Sequence, residues 1–116
     1  MPTTTIFGIP NCDTVKKARN WLDKHHVDYQ FHDFRQDGLS LKQLKAWANA
    51  VGWETLLNRR SQTWRKLADK DKTNLTEARA LKLMQAEPTL IKRPVLEMNK
   101  RVHVGFTAAD YQQLFS

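Results

Sequence analysis

The chain holds one cysteine, Cys12, and its neighbours decide whether that thiol can react. It follows a β-branched and aromatic run, Thr3 to Phe7, and the turn-formers Gly8-Ile9-Pro10-Asn11, and it directly precedes a segment of helical periodicity that begins at Asp13. A thiol at such a junction faces unpaired backbone N–H groups and the positive end of a helix dipole, both of which favour the thiolate. Lowering a thiol pKa from about 8.5 toward neutrality makes the nucleophilic form prevalent. Lys16 and Lys17 reinforce this and Asp13 opposes it. The alternative is a small buried hydrophobe beside a turn. With one cysteine, an intrachain disulfide and a four-thiolate metal site are excluded, so any redox cycle must take its second thiol from another molecule.

Three arginines offer charge to such a site. Arg93-Pro94 stands just before a predicted strand, where a proline, having no N–H for a sheet ladder, fits at a strand start or in a tight turn. Arginine suits an anion site because its planar fork binds oxyanions and carboxylates bidentately and stays charged; otherwise Arg93 is a solvated surface charge. Arg59 and Arg60 open a basic stretch that continues to Trp64-Arg65-Lys66. They form either an anion clamp over the cysteine or the exposed face of an interaction surface, for instance for nucleic acid. Trp64 could stack on a base, but four tryptophans in a chain of this size mostly indicate core. No nucleic-acid signature, glycine-rich phosphate loop or dinucleotide fingerprint accompanies these residues. His25, His26, His32 and His103 match no zinc spacing, and the adjacent pair at a helix end is explained by the carbonyls there, so no metal site is expected.

The elements that must position these residues can be read from periodicity. Thr3 to Phe7 reads as a strand, Asp13 to about His26 as a helix with Val15, Ala18 and Leu22 inward, and Val27, Tyr29 and Phe31 as alternating strand positions. Two strands joined by a helix are usually parallel. After Asp37-Gly38, Ser40 caps a helix that places Leu41, Leu44, Ala48 and Val51 on one face and ends at Gly52. Trp53 to Leu57 is ambiguous. Thr73 or Asn74 caps a further helix with Leu75, Ala78, Leu81 and Met84 buried, stopped by Pro88. Arg93 to Leu96 starts a strand, Met98-Asn99-Lys100-Arg101 turns, and Val102, Val104 and Phe106 form its hairpin partner. Thr107 caps a last helix with Ala108, Tyr111 and Phe115 inward.

The order is that of an α/β, thioredoxin-like domain spanning residues 1–116, its mixed sheet interrupted by a helical insertion at roughly 38–88. Hydrophobic residues make up 41% and charged residues 27%, ordinary globular usage that argues against disorder or a fibrous repeat. The apolar runs are far shorter than the ~20 residues a spanning helix needs, and Met1-Pro2-Thr3-Thr4-Thr5 lacks a basic flank and an apolar signal core, so a cytoplasmic protein without membrane contact is expected. The net charge is +7; residues 1–58 hold seven basic and six acidic side chains and 59–116 hold twelve and six. This bias favours an anionic partner.

Phe7-Gly8-Ile9-Pro10-Asn11-Cys12-Asp13-Thr14-Val15-Lys16-Lys17-Ala18-Arg19, with Phe31-His32-Asp33, Leu57-Asn58-Arg59-Arg60 and Leu90-Ile91-Lys92-Arg93-Pro94-Val95-Leu96, resembles the arsenate reductase (ArsC) and Spx family, in particular its YffB-like subgroup. The resemblance covers essentially the whole chain. It implies a thioredoxin-like fold with a helical insertion, a cis Pro94 that brings Arg93 to Cys12, and Asn11 and Pro94 as structural residues of the site. It also implies a nucleophilic Cys12, an anion site of Arg93 with Arg59 or Arg60, and glutathione as co-substrate, with glutaredoxin as a further partner and no tightly bound cofactor. Two positions depart from the pattern: Phe106 stands where arsenate reductases carry a third oxyanion arginine, and Val15 stands where Spx regulators carry the second cysteine of a Cys-x-x-Cys switch. The resemblance therefore implies a glutathione-dependent thiol reductase, with a non-catalytic regulator docking on RNA polymerase as the alternative.

Overall fold

A computed structural model describes residues 4–99 and 101–116. Thr3 and Lys100, placed above in a strand and a turn, lie outside the described residues, as do Met1 and Pro2. The chain forms two units, one of residues up to Asp37 together with Arg93–Ser116, the other Gly38–Lys92.

The first unit is built on a four-stranded sheet in the order β2-β1-β3-β4. β1 (Thr4–Gly8) pairs in parallel with β2 (Gln30–Asp33) and antiparallel with β3 (Val95–Met98), which forms a hairpin with β4 (Arg101–Val104). The registers Ile6↔Phe31, Ile6↔Leu96 and Leu96↔His103 put these four side chains in one row across the sheet. Ile6 and Leu96 pack there against Ala18 and Leu22 of α1 (Asp13–Lys24) and Tyr111 of α7 (Ala108–Leu114), with Trp21, Phe106 and Phe115 around them. Phe7 and Val95, on the opposite face, are buried too.

β2 begins at Gln30, so Val27 and Tyr29 precede it rather than belong to it. The reason lies in how α1 stops. His26 adopts a left-handed φ of 59°, its N–H donates to Asp23 O at 3.2 Å and that of Val27 to Leu22 O at 2.9 Å. This is a Schellman ending with histidine where glycine is usual, and it commits Val27 to the cap. His25 Nδ1 lies 2.8 Å from Trp21 O, in keeping with a histidine at the carbonyl end of a helix. At the other end of the unit β4 stops at Val104, and Gly105, with φ 86°, turns the chain, so Phe106 packs edge-on against Tyr111 at 4.7 Å instead of extending the hairpin.

The second unit is helical: α2 (Leu41–Val51), α3 (Trp53–Leu56), α4 (Gln62–Lys66), α5 (Asp69–Lys72), α6 (Glu77–Ala86) and a 3-10 turn at Pro88–Leu90. Ser40 Oγ caps α2 by accepting from Gln43 N–H at 3.1 Å. The buried face of α2 is Leu44, Trp47 and Ala48, with Leu41 and Val51 half-buried. Of the four tryptophans, Trp47 alone is fully buried; Trp21, Trp53 and Trp64 are half-buried. The cap of α6 is Thr76, whose hydroxyl accepts from Arg79 N–H at 3.3 Å, rather than Thr73 or Asn74. Asn74 takes a left-handed φ of 54° that ends the preceding turn. The shifted start buries Ala80, Leu81 and Met84 and leaves Ala78 exposed and Leu75 half-buried.

Candidate active site

Cys12 is the N-cap residue of α1, with extended φ and ψ of −100° and 125°, and it is partly exposed. β1 delivers it: the strand ends at Gly8, and the turn through Ile9, Pro10 and Asn11 closes with Cys12 N–H 3.4 Å from Ile9 O. A Cβ on Gly8 would stand 2.7 Å from Val15 Cγ2, so only glycine lets the strand end approach the first helical turn this closely. Asn11 is exposed in that turn.

Burial of the sulfur acts most strongly on Cys12 and raises its pKa. Against it work the N–H of Val15, a hydrogen bond and the charge of Arg93, and the N–H of Thr14; together they outweigh burial and hold the thiol below its ordinary value. Thr14 and Val15 are the second and third residues of the helix, whose N–H groups have no intrahelical acceptor. Cys12 occupies the N-cap position without a side-chain cap hydrogen bond, so these N–H groups act on the sulfur as nearby dipoles that favour its charged form. The cation beside the sulfur is Arg93, from the opposite end of the chain, and not Lys16 or Lys17, which are exposed on α1. The Arg93–Pro94 peptide is cis, and Pro94 is buried.

Arg59 and Arg60 belong to the helical unit and are exposed. They follow α3 in a turn fixed by Asn58, whose Oδ1 accepts from Arg60 N–H at 3.1 Å and whose carbonyl accepts from Ser61 Oγ at 3.0 Å. The Arg59 guanidinium lies 5.7 Å from the centre of the half-buried Trp64 ring, and Lys72 Nζ lies 5.6 Å from it. Trp64 therefore serves as a platform for cations. Both arginines line a groove of about 350 Å³ with Glu54, Leu57, Asn58 and Lys92. Phe106, where the family resemblance implies a third oxyanion arginine in arsenate reductases, belongs to the aromatic packing around Tyr111.

Sequence reasoning named Cys12 and Arg93 and expected unpaired helix N–H groups at the thiol, which the structure identifies as those of Thr14 and Val15. It missed Glu54 and Lys92, for which no local pattern gives a signal. Among the described residues, no group of three or more His, Cys, Asp or Glu side chains could hold a metal ion, and no helix is long and apolar enough to cross a membrane.

Residues 7–114 match the model of the ArsC family. The chain belongs to that family. A solved structure of a YffB protein is 46% identical, with a TM-score of 0.94 over 97% of this chain and 99% of the other. An arsenate reductase (ArsC) related protein from Brucella melitensis is also 46% identical, with a TM-score of 0.79 over 100% and 96% of the two chains. A Haemophilus influenzae protein is 43% identical over 97% of this chain and 98% of its own. The global transcriptional regulator Spx of Streptococcus pyogenes is 32% identical over 97% and 84%. The four-stranded mixed sheet flanked by helices is the thioredoxin-like arrangement of this ArsC-family chain and its structural neighbours.

Proposed function

We propose that this ArsC-family chain is a thiol oxidoreductase that uses Cys12 as its only nucleophile and glutathione as its electron donor. The observation that carries the reading is the contact of Arg93 with a thiol already favoured as thiolate by the N–H groups of α1. Similarity to an arsenate reductase related protein supports the reaction class. With one cysteine in the chain, a disulfide can only be intermolecular.

For a glutathione mixed disulfide as substrate, Cys12 Sγ attacks the glutathione sulfur. The new S–S bond joins Cys12 to glutathione, and the substrate leaves as a thiolate that takes a proton from solvent. A second glutathione thiolate then attacks the bound glutathione sulfur, releasing oxidised glutathione and the Cys12 thiolate. The net exchange consumes one glutathione thiol and returns one substrate thiol. Arg93 stabilises Cys12 as attacking and as leaving thiolate, and Arg59 and Arg60 supply charge for glutathione carboxylates. Glutaredoxin would enter as a partner that recycles the mixed disulfide. Phe106 supplies no charge to hold an oxyanion, which favours disulfides over arsenate.

The test is reduction of bis(2-hydroxyethyl) disulfide by glutathione. Turnover is expected with the natural chain and none with Cys12→Ser, whereas undiminished turnover in the variant would remove Cys12 from the mechanism.

Similarity to Spx supports a second reading, a regulator that docks on RNA polymerase without catalysis. Val15 in place of a second cysteine leaves such a protein without an internal disulfide switch. Retention of the chain by the C-terminal domain of the polymerase α subunit, together with absent turnover, would favour it.

A further inference from the structure

We propose that Glu54 recognises the free ammonium group of the co-substrate, so that the groove of the helical unit selects a thiol bearing an α-amino-acid head over one carrying carboxylates alone. The inference rests on the glutathione reading above.

The groove is formed within the helical unit alone. Leu57 and Ile91 pair as an antiparallel bridge, Asn58 N–H donates to Leu90 O at 2.7 Å and Lys92 N–H to Leu56 O at 2.7 Å. These bonds fix the segment that ends α3 beside the one that carries Lys92. Four charges line the result: Arg59, Arg60 and Lys92 as cations and Glu54 as the carboxylate. Among the described residues none of the four is in an ion pair within 4 Å. An acid in the first turn of α3 has a local cause in the helix dipole. That cause does not explain why it stands at the rim of a groove with three cations and neutralises none of them.

The ligand that complements this set carries two or more anionic groups and one cationic group. An inorganic oxyanion would be served by the cations and repelled by Glu54. Glutathione at neutral pH carries two carboxylates and one ammonium, and the groove's volume lies at the lower end of the range of about 300–1,000 Å³ for small-molecule sites. Asn58, half-buried between the charged residues, adds a polar lining to the same groove.

The test separates binding from thiol chemistry by using S-methylglutathione and its N-acetyl derivative, titrated calorimetrically into the natural chain, Glu54→Gln, Glu54→Asp and Glu77→Gln. Exposed ion pairs contribute about 0.2–1 kcal/mol, so the natural chain should prefer the free amine by up to about fivefold. Glu54→Gln should bring the ratio to about one, while Glu54→Asp and Glu77→Gln, whose residue lies outside the groove, should keep it. A ratio of one in the natural chain, a preference that survives in Glu54→Gln, or no binding of S-methylglutathione would overturn the inference. If Cys12-dependent turnover of glutathione is nevertheless present, only the role of Glu54 falls. If Cys12→Ser leaves turnover unchanged, the underlying reading falls as well.

Discussion

Arg93 hydrogen-bonds Cys12 and sets its positive charge beside the sulfur, joining the residue two positions before β3 to the N-cap of α1. Removing that contact leaves burial opposed only by backbone N–H groups. In Arg93→Ala the thiol pKa should therefore rise, because the lost interactions favoured the charged form. The rising limb of glutathione-dependent turnover against pH should move to higher pH. Hydrogen bonds to charged groups contribute about 1.5–3 kcal/mol, reduced by solvent at a partly exposed site, so activity at pH 7 should fall on the order of tenfold. Arg93→Lys should lie between. A pH profile that does not move would detach Arg93 from the thiolate.

The same lowered pKa links thiol ionisation to stability. A group that ionises more readily in the folded state contributes stability above its unfolded pKa and loses it as pH falls through its folded one. For Cys12 the window runs from its lowered folded value up to the ordinary thiol range near 8.5. Urea denaturation of the natural chain and Cys12→Ser should thus give a stability difference that grows in favour of the natural chain as pH rises through this window and is flat below it. A pH-independent difference would mean that the folded state does not favour the thiolate.

Much of this frame was legible in the sequence where one local signal sufficed. Ser40 and Thr107 were readable as caps because a hydroxyl stands directly before an apolar-periodic run, and Thr107 Oγ1 does accept from Asp110 N–H at 3.1 Å. The α6 cap was misplaced because Thr73, Asn74 and Thr76 all qualify locally, and only the left-handed turn at Asn74 decides among them. The strand β2 was read too early because Val27 and Tyr29 have strand-like alternation, while the Schellman ending of α1 claims Val27. At the site, Cys12 carried its own signal. Its partner Arg93 came from family resemblance, since no spacing rule links residues so far apart, and the groove around Glu54 depends on a backbone bridge that leaves no local pattern.

Gly8 limits how near the strand end can come to Cys12's helix. Gly8→Ala places a methyl 2.7 Å from Val15 Cγ2, and Val15 is fully buried and β-branched, so it has no free rotamer to yield. Overpacking of this kind costs about 1–3 kcal/mol. Adding Val15→Ala should relieve the clash, making the double variant less destabilised than the two single effects combined, as a thermodynamic cycle in urea would report. Simple additivity would mean that the contact is not the cause.

Tyr111 is fully buried at the centre of the aromatic cluster, and among the described residues its hydroxyl has no hydrogen-bond partner. Burial alone pushes its pKa above the ordinary tyrosine value. An unsatisfied buried hydroxyl is a cost, so Tyr111→Phe should be neutral or stabilising by up to about 1 kcal/mol. Tyr111→Ala should cost about 3–5 kcal/mol through the cavity among Trp21, Phe106 and Phe115. Loss of more than about 1 kcal/mol in Tyr111→Phe would reveal a partner for the hydroxyl.

The central claim, that the folded chain shifts Cys12 toward its thiolate, is tested most directly by the rate of its alkylation by iodoacetamide as a function of pH. With a single cysteine in the chain, the signal has one source. A midpoint clearly below that of the urea-unfolded chain is expected, moving upward in Arg93→Ala. A folded-state midpoint at or above the unfolded one would contradict the account, because burial would then have outweighed the helix N–H groups and Arg93.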